Sequence, residues 1–228
     1  MRSCRRAGER YNGGMIITID GPAGAGKSSV AKMLARRLSF RFLDTGAMYR
    51  AVALAAVRHG LDWDAPDDLA RLARKIHLRL DGERMFLDGE DVTDAIRTSE
   101  VTAVTRYAAG NPQVRERLVE LQREAAAGQN VVTEGRDQGT VAFPSAECKI
   151  FLTATPLERA RRRLRELQTR SEPVTLEQVL AAQQRRDRED AARAVGPLKP
   201  AADAVDICTD GMTLEQVVEK LAALVASG

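Results

Sequence analysis

Aromatic residues make up only 4% of this 228-residue sequence, and the six lysines, three cysteines and two histidines are fewer still. Each shortage excludes something. Two histidines (His59 and His77) and the absence of any CxxC pair argue against a zinc site. Cys4, Cys148 and Cys208 are odd in number and far apart, which argues against a disulfide framework and points to a reducing, cytoplasmic setting. No apolar run approaches the ~20 residues of a spanning helix. The basic stretch Met1–Arg10 has no apolar segment behind it, so a secretory signal is not expected. Charge of one sign is lacking too. Thirty-five basic against 32 acidic side chains leave +3, too even for a strong nucleic-acid field.

What is present is ordinary globular material, 44% hydrophobic and 29% charged, enough for one α/β domain or two small ones. Residues 1–14 are polar, basic and without periodicity, and read as a flexible extension ahead of Met15. From there, strands and helices alternate. Met15–Ile19, Arg41–Leu43, Val131–Thr133, Lys149–Thr153 and Ala204–Cys208 read as buried strands. Helices are expected over Ser28–Leu38, Met48–His59, from Pro66, and from the Asn111-Pro112 cap to about Ala127. The last three helices each open on a capping box, at Thr155/Glu158, Thr175/Gln178 and Thr213/Gln216. Between Ile76 and Gly89 the period changes to two, with Asp-Gly turns at 81–82 and 88–89, which predicts a small antiparallel meander. Five strands separated by helices imply a parallel sheet covered on both faces.

One motif carries chemistry outright. Gly21-Pro22-Ala23-Gly24-Ala25-Gly26-Lys27-Ser28 matches G-x-x-x-x-G-K-[ST] in full, between an expected strand and an expected helix. The glycines let successive N–H groups curl around a phosphate, Lys27 reaches the β/γ oxygens, and the Ser28 hydroxyl suits Mg²⁺. The chain is therefore expected to bind a nucleoside triphosphate along this segment and its neighbour Ser29. A guanine-reading Asn-Lys-x-Asp element is absent, which disfavours a GTP switch. Asp44–Arg50 and Glu134–Thr140 follow the second and third strands, so they lie on the same sheet edge as the phosphate loop. Arg50, Arg136 and Asp137 can converge there across a cleft from Lys27. A third cluster, Glu158–Arg165 and Arg185–Asp190 with Arg193, flanks a loop near 168–173 and suits a lid over a triphosphate. Twenty-nine of the 35 basic residues are arginine, the side chain whose fork matches phosphate. An ATP-switched RNA binder should interleave aromatics with these arginines, and residues 156–193 contain none.

Taken together, the motifs resemble the bacterial cytidylate kinase family. They stand here, in order, as Ile17–Lys27, Leu43–Arg50, Ile96–Val101, Pro112–Arg115, Gly135–Pro144, Lys149–Ala154, Glu158–Arg163, Arg186–Arg193 and Pro197–Ala204. The resemblance implies a P-loop kinase fold over 15–228, with a monophosphate-binding insert at about 45–108 and a lid at about 159–187. It implies phosphoryl transfer from ATP, with Mg²⁺, to CMP or dCMP, in a monomer without nucleic-acid or membrane partners. By motif match, Thr45, Tyr49, Arg50, Arg115, Arg136, Asp137, Arg186 and Asp190 resemble the monophosphate site. Arg159, Arg162, Arg163 and Arg193 resemble lid-side groups near the transferring phosphoryl; Lys27, Arg136, Arg159, Arg163 and Arg193 are the implied catalytic set. One position departs. Where the family carries a small base-reading hydroxyl, this chain has Arg106. Thr102 or Thr105 can substitute for it, or Arg106 can point outward.

Overall fold

The computed structural model describes residues 13–169 and 174–227. Most of the expected 1–14 extension, and 170–173 of the loop between the two arginine-rich helices, lie outside the described residues. In chain order the elements are β1 (Ile16–Asp20), α1 (Lys27–Leu38), β2 (Arg41–Asp44), α2 (Thr45–Arg58), α3 (Pro66–Lys75), β3 (Leu78–Asp81), β4 (Arg84–Leu87), β5 (Glu90–Asp91), α4 (Ser99–Gly110), α5 (Pro112–Ala126), β6 (Val131–Gly135), β7 (Cys148–Thr153), α6 (Pro156–Gln168), α7 (Leu176–Ala191), β8 (Val205–Cys208) and α8 (Leu214–Ala226).

The main sheet is parallel and five-stranded, in the order β2-β6-β1-β7-β8. Strand alternation divides its apolar side chains between two cores. Ile17, Ile19, Val132, Ile150 and Leu152 pack under α1 and α8. Ile16, Leu43 and Val131 pack under α5 and Phe143 on the other face. β1 is central, and its last residue, Asp20, stands level with Gly135 of β6 and Phe151 of β7. The loops after β1 and β6 are thereby neighbours at one edge, where the strand order puts the crevice.

The meander is present as a separate sheet, β3-β4-β5. It packs with α2, α3, α4 and α5 around a third core. α2 is the centre of that core, with ten of its fourteen residues buried. It begins at Thr45 rather than Met48, because the Asp44 carboxylate accepts from the Ala47 N–H (3.0 Å) and caps the helix directly off β2. α4 has no counterpart in the sequence reading. Val101, Thr102, Val104 and Thr105 are β-branched and depress helix propensity; packing on the small side chains of α2 overrides that.

Two of the three expected capping boxes are complete, at Thr175/Gln178 and Thr213/Gln216. The third is half made. Thr155 Oγ1 accepts from the Glu158 N–H, but the Glu158 carboxylate accepts from Arg162 Nε (2.9 Å) and the Thr155 N–H donates to Asp210 (3.0 Å). Cys208 is exposed and free, and Cys148 is buried in β7. No helix among the described residues is long and apolar enough to cross a membrane.

Candidate active site

The Gly21–Ser28 segment turns tightly out of β1 into α1, with Gly26 in the left-handed region (φ +88°) as the helix N-cap. Lys27 is buried and donates to Pro22 O (2.8 Å), and among the described residues no carboxylate forms an ion pair with it. Burial, reinforced by Arg136, holds its ammonium down to about 7, with Glu134 only partly opposing. A desolvated, unpaired cation at a helix N-terminus is a receptor for a polyanion. Ser28 Oγ donates to Glu134 Oε1 (2.8 Å), bringing a hydroxyl and a carboxylate side by side at the cleft floor.

The cleft beyond has a volume of about 850 Å³. Six cations line it, Lys27, Arg50, Arg97, Arg136, Arg163 and Arg186, against two carboxylates, Glu134 and Glu166. Ser29 and Gly46 line it as well. Arg136 donates to Asp190 (2.7 Å) and to Gly135 O (3.1 Å). Burial would lower its guanidinium, but Asp190 and Glu134 outweigh burial and raise it. Burial and then Arg136 lower Arg186 to about 10; burial lowers Arg50 as well, against Asp44 and Glu134. So many cations with so few counter-charges leave the cleft short of about one polyanion.

Next to Arg136 in the chain, but not among the residues lining the cleft, Asp137 forms a buried pair with Arg115. Arg115 Nη2 donates to Asp137 Oδ2, Nη1 donates to Ala109 O (3.1 Å), and Nε is buried with no hydrogen-bond partner. Tyr49 lays its ring beside this guanidinium, 5.5 Å from the centroid to Cζ, and burial pushes its phenol up to about 12. An acceptor oxygen, an unsatisfied donor and an aromatic face stand together there as a buried polar socket.

The model for the family described as cytidylate kinase matches residues 17–227. The chain belongs to the cytidylate kinase family. Among its relatives, the cytidylate kinase of Rhodopirellula baltica is 51% identical over 211 residues, covering 92% of each chain. That of Pelotomaculum thermopropionicum is 54% identical over 217 residues, covering 93% of this chain and 96% of its own. A structure of an uncharacterized protein from Eubacterium ventriosum superposes with a TM-score of 0.52 at 11% identity, covering 94% of this chain and 99% of the other, and so shares the fold.

Within this family member the remaining sequence-predicted residues fall into distinct places. Arg159, Arg162 and Arg163 do not act as one face. Arg159 is buried behind the phosphate loop, donating to Ala23 O (2.9 Å), Ala154 O (3.1 Å) and Asp187 (2.6 Å). Arg162 donates to Glu158, Thr209 Oγ1 (2.9 Å) and Thr209 O (3.0 Å). Arg163 alone faces the cleft, bonded to Glu166 (2.9 Å). Arg193 stands away from α6. It pairs with Asp190, and its charge bears on Arg115, Arg136 and Tyr49. Burial would raise the Asp190 carboxyl, but Arg136, Arg193 and Arg186 hold it below its ordinary value. The Thr45 hydroxyl is committed to Glu134 O (2.7 Å), tying the start of α2 to the end of β6.

Arg106 points outward. It is exposed, donates to Tyr107 Oη (3.1 Å), and stacks on the Tyr107 ring, which itself stacks on Trp63. Thr105 donates back to Val101 O (2.7 Å), so Thr102, on the cleft wall, is the hydroxyl that α4 presents.

Sequence reasoning missed the groups that hold these residues in place. Both oxygens of buried Asp20 accept from the next loop, from the Gln138 N–H (2.8 Å) and the Gly139 N–H (2.7 Å). Asp187 on α7 accepts from the Ala23 N–H (3.2 Å) and from Arg159. Arg97 reaches the cleft from the turn before α4 and donates to Asp44 (3.3 Å). The aspartate in the Asp20-Gly21 step was legible as part of the family motif; its partners were not.

Proposed function

We propose that the chain transfers the γ-phosphoryl group of ATP to CMP or dCMP, giving ADP and CDP or dCDP, as part of pyrimidine nucleotide metabolism in the cytoplasm, where both substrates are. The observation that carries this reading is a phosphate loop in a cation-rich cleft, with the buried Arg115–Asp137 pair beginning one residue beyond Arg136 of the cleft wall. Family membership supports it.

The transfer needs alignment and charge neutralisation more than acid–base chemistry. The nucleophile is already an anionic oxygen of the acceptor phosphate; it bonds to the γ-phosphorus as the bond to the β–γ bridging oxygen breaks. Arg50, Arg136 and Arg186 hold the acceptor phosphate in line. Lys27 neutralises charge developing on the leaving diphosphate. Asp137 accepts from the exocyclic amino group of cytosine, and the free Nε–H of Arg115 donates to the ring edge. A uracil carbonyl in the same place would face the carboxylate acceptor to acceptor.

Magnesium fits the donor set. Mg²⁺ takes hard oxygen ligands and keeps waters and phosphate oxygens in most positions. Ser28 Oγ and Glu134 are an oxygen pair of that kind, and among the described residues no cluster of three or more His, Cys, Asp or Glu competes with them. When bound, the ion supplies charge neutralisation across the donor phosphates.

The α6–α7 hairpin, with Arg163 on its inner side, acts as the lid, and the β3–β5 sheet with α2–α4 as the acceptor insert. Closing the lid excludes water and suppresses hydrolysis of ATP. A panel of CMP, dCMP, UMP, AMP and GMP assayed with ATP and Mg²⁺ tests the reading. CMP and dCMP should exceed the others in kcat/KM by ~10²-fold or more; equal use of UMP would remove Asp137 from base recognition.

A further inference from the structure

The loop after α7 closes over the Arg115–Asp137 socket, and it does so at a glycine. Gly196 is buried although its neighbours Ala194 and Val195 are exposed. Its φ is +63°. A Cβ placed there would fall inside contact distance of Arg115 Nη2 and Asp137 Oδ2, and 2.7 Å from Arg115 Cζ. The obstruction is the paired guanidinium and carboxylate themselves. Both are buried, and Arg115 is anchored at Ala109 O, so neither has free space into which to swing.

The loop's position is fixed from α7. Leu198 N–H donates to Asp190 O (2.9 Å), and the Asp190 carboxylate holds Arg136 and Arg193. Asp190 therefore acts on both, its backbone carbonyl tying down the Gly196 loop and its carboxylate orienting Arg136.

We propose that Gly196 is a specificity-determining residue: the 194–198 loop is a wall of the acceptor-base socket, and the missing side chain keeps Arg115 and Asp137 in the register that reads cytosine. The proposal rests on the acceptor reading above. Gly196 touches the reading pair and acts through it, so it is a positioning residue.

The test is Gly196→Ala, with Gly60→Ala as the control. Gly60 has nearly the same backbone (φ +59°) but nothing within 4 Å of its Cβ position, so it carries the left-handed strain without the contact. Steady-state kinetics are measured with CMP and UMP at saturating ATP. Gly196→Ala should lower kcat/KM for CMP by ~10-fold or more, mainly through the CMP KM, and narrow the CMP:UMP ratio by a similar factor. Gly60→Ala should leave the ratio alone, and the ATP KM should hold in both. In an Asp137→Asn background the added effect of Gly196→Ala should shrink to within ~3-fold, because both changes act on one pair. Gly196→Ala matching Gly60→Ala, or fully additive effects in the cycle, would overturn the proposal.

Should Gly196→Ala fail to fold, the wild-type chain still decides. Amide exchange across 194–198 should slow when CMP is added, and less with UMP at equal occupancy; equal slowing, or none, counts against the loop as a wall. A wild-type enzyme inactive on CMP would overturn the acceptor reading and this proposal with it. CMP activity combined with a retained ratio in Gly196→Ala would overturn this proposal alone.

Discussion

Lys27 and Asp20 are both buried at the mouth of β1, and their protonation pulls stability in opposite directions. Lys27 titrates near 7 in the folded chain against 10.5 ordinarily. Between those values the unfolded chain binds more protons, so Lys27 makes stability rise with pH across the window from about 7 to 10.5. Below about 7 the full penalty of a buried charge applies. Lys27→Met should therefore raise Tm at pH 6.5 by several degrees, at ~2–4 °C per kcal/mol, and lower kcat by ~10²-fold or more. Thermal scans at pH 6.5 and 10 check this; a gain equal at both would mean that packing, not charge, is responsible. Burial raises Asp20 to about 6 from 3.8, with the Gly139 and Gln138 N–H groups opposing. Here the folded chain holds the extra proton, so the Asp20 contribution falls as pH rises from 3.8 to about 6. Asp20→Asn keeps one acceptor oxygen where the Gln138 and Gly139 N–H groups need two. It should loosen the loop carrying Arg136 and Asp137, raising the CMP KM by ~10-fold with little change in the ATP KM. A rise confined to ATP would place Asp20 on the donor side instead.

At the scale of elements, the α6–α7 hairpin is the weakly held part of the described chain. Its own core is small, with Ala160, Leu167 and Val179 as its buried apolar residues, against twenty in the insert core. Few apolar contacts mean cheap local opening. Amides of α6 beyond Arg163 should exchange well before those of α1 or α5, and an ATP analogue should protect them; exchange as slow as in α1 would rule out a lid. Arg163→Lys keeps the charge and loses the fork, so it should lower kcat more than it raises the ATP KM. The elements themselves were largely legible in the sequence. Apolar runs between glycine turns marked the central strands, Asn111-Pro112 and the Thr boxes marked helix starts, and Asp-Gly pairs marked the meander. α4 was not legible, because its β-branched residues are helical only against α2. Side-chain partners were legible least. Nothing in the spacing of Arg159, Arg162 and Arg163 says that one braces Ala23, one binds Thr209 and one faces the cleft, since those acceptors come from distant loops. The half-made box at Thr155 failed for the same reason: Arg162 and Asp210 compete for its two groups.

Over the whole molecule the charge is nearly balanced, yet the cleft concentrates six cations against two carboxylates. The mutual repulsion is visible in Lys27 and Arg186, each lowered by burial and by Arg136. A polyanion relieves it, so binding and protonation are linked. In the free chain at pH 8, one unit above its value of about 7, Lys27 is mostly neutral. Phosphate oxygens against it restore the charged form. Donor binding at pH 8 should therefore take up close to one proton, and binding at pH 6, where Lys27 is already charged, should take up far less at this group. Calorimetry of a non-hydrolysable ATP analogue in two buffers of different ionisation enthalpy measures the difference. Lys27→Met supplies the control, since uptake that survives it belongs to another group. The same linkage sets the ligand's effect on stability. Analogue at a hundred times its Kd should stabilise the fold by ~2.7 kcal/mol, and CMP added as well should stabilise further. If the analogue raises Tm equally at pH 6 and pH 8 and no proton is taken up, then Lys27 is already charged in the empty cleft, and the phosphate loop is pre-paired rather than waiting for its anion.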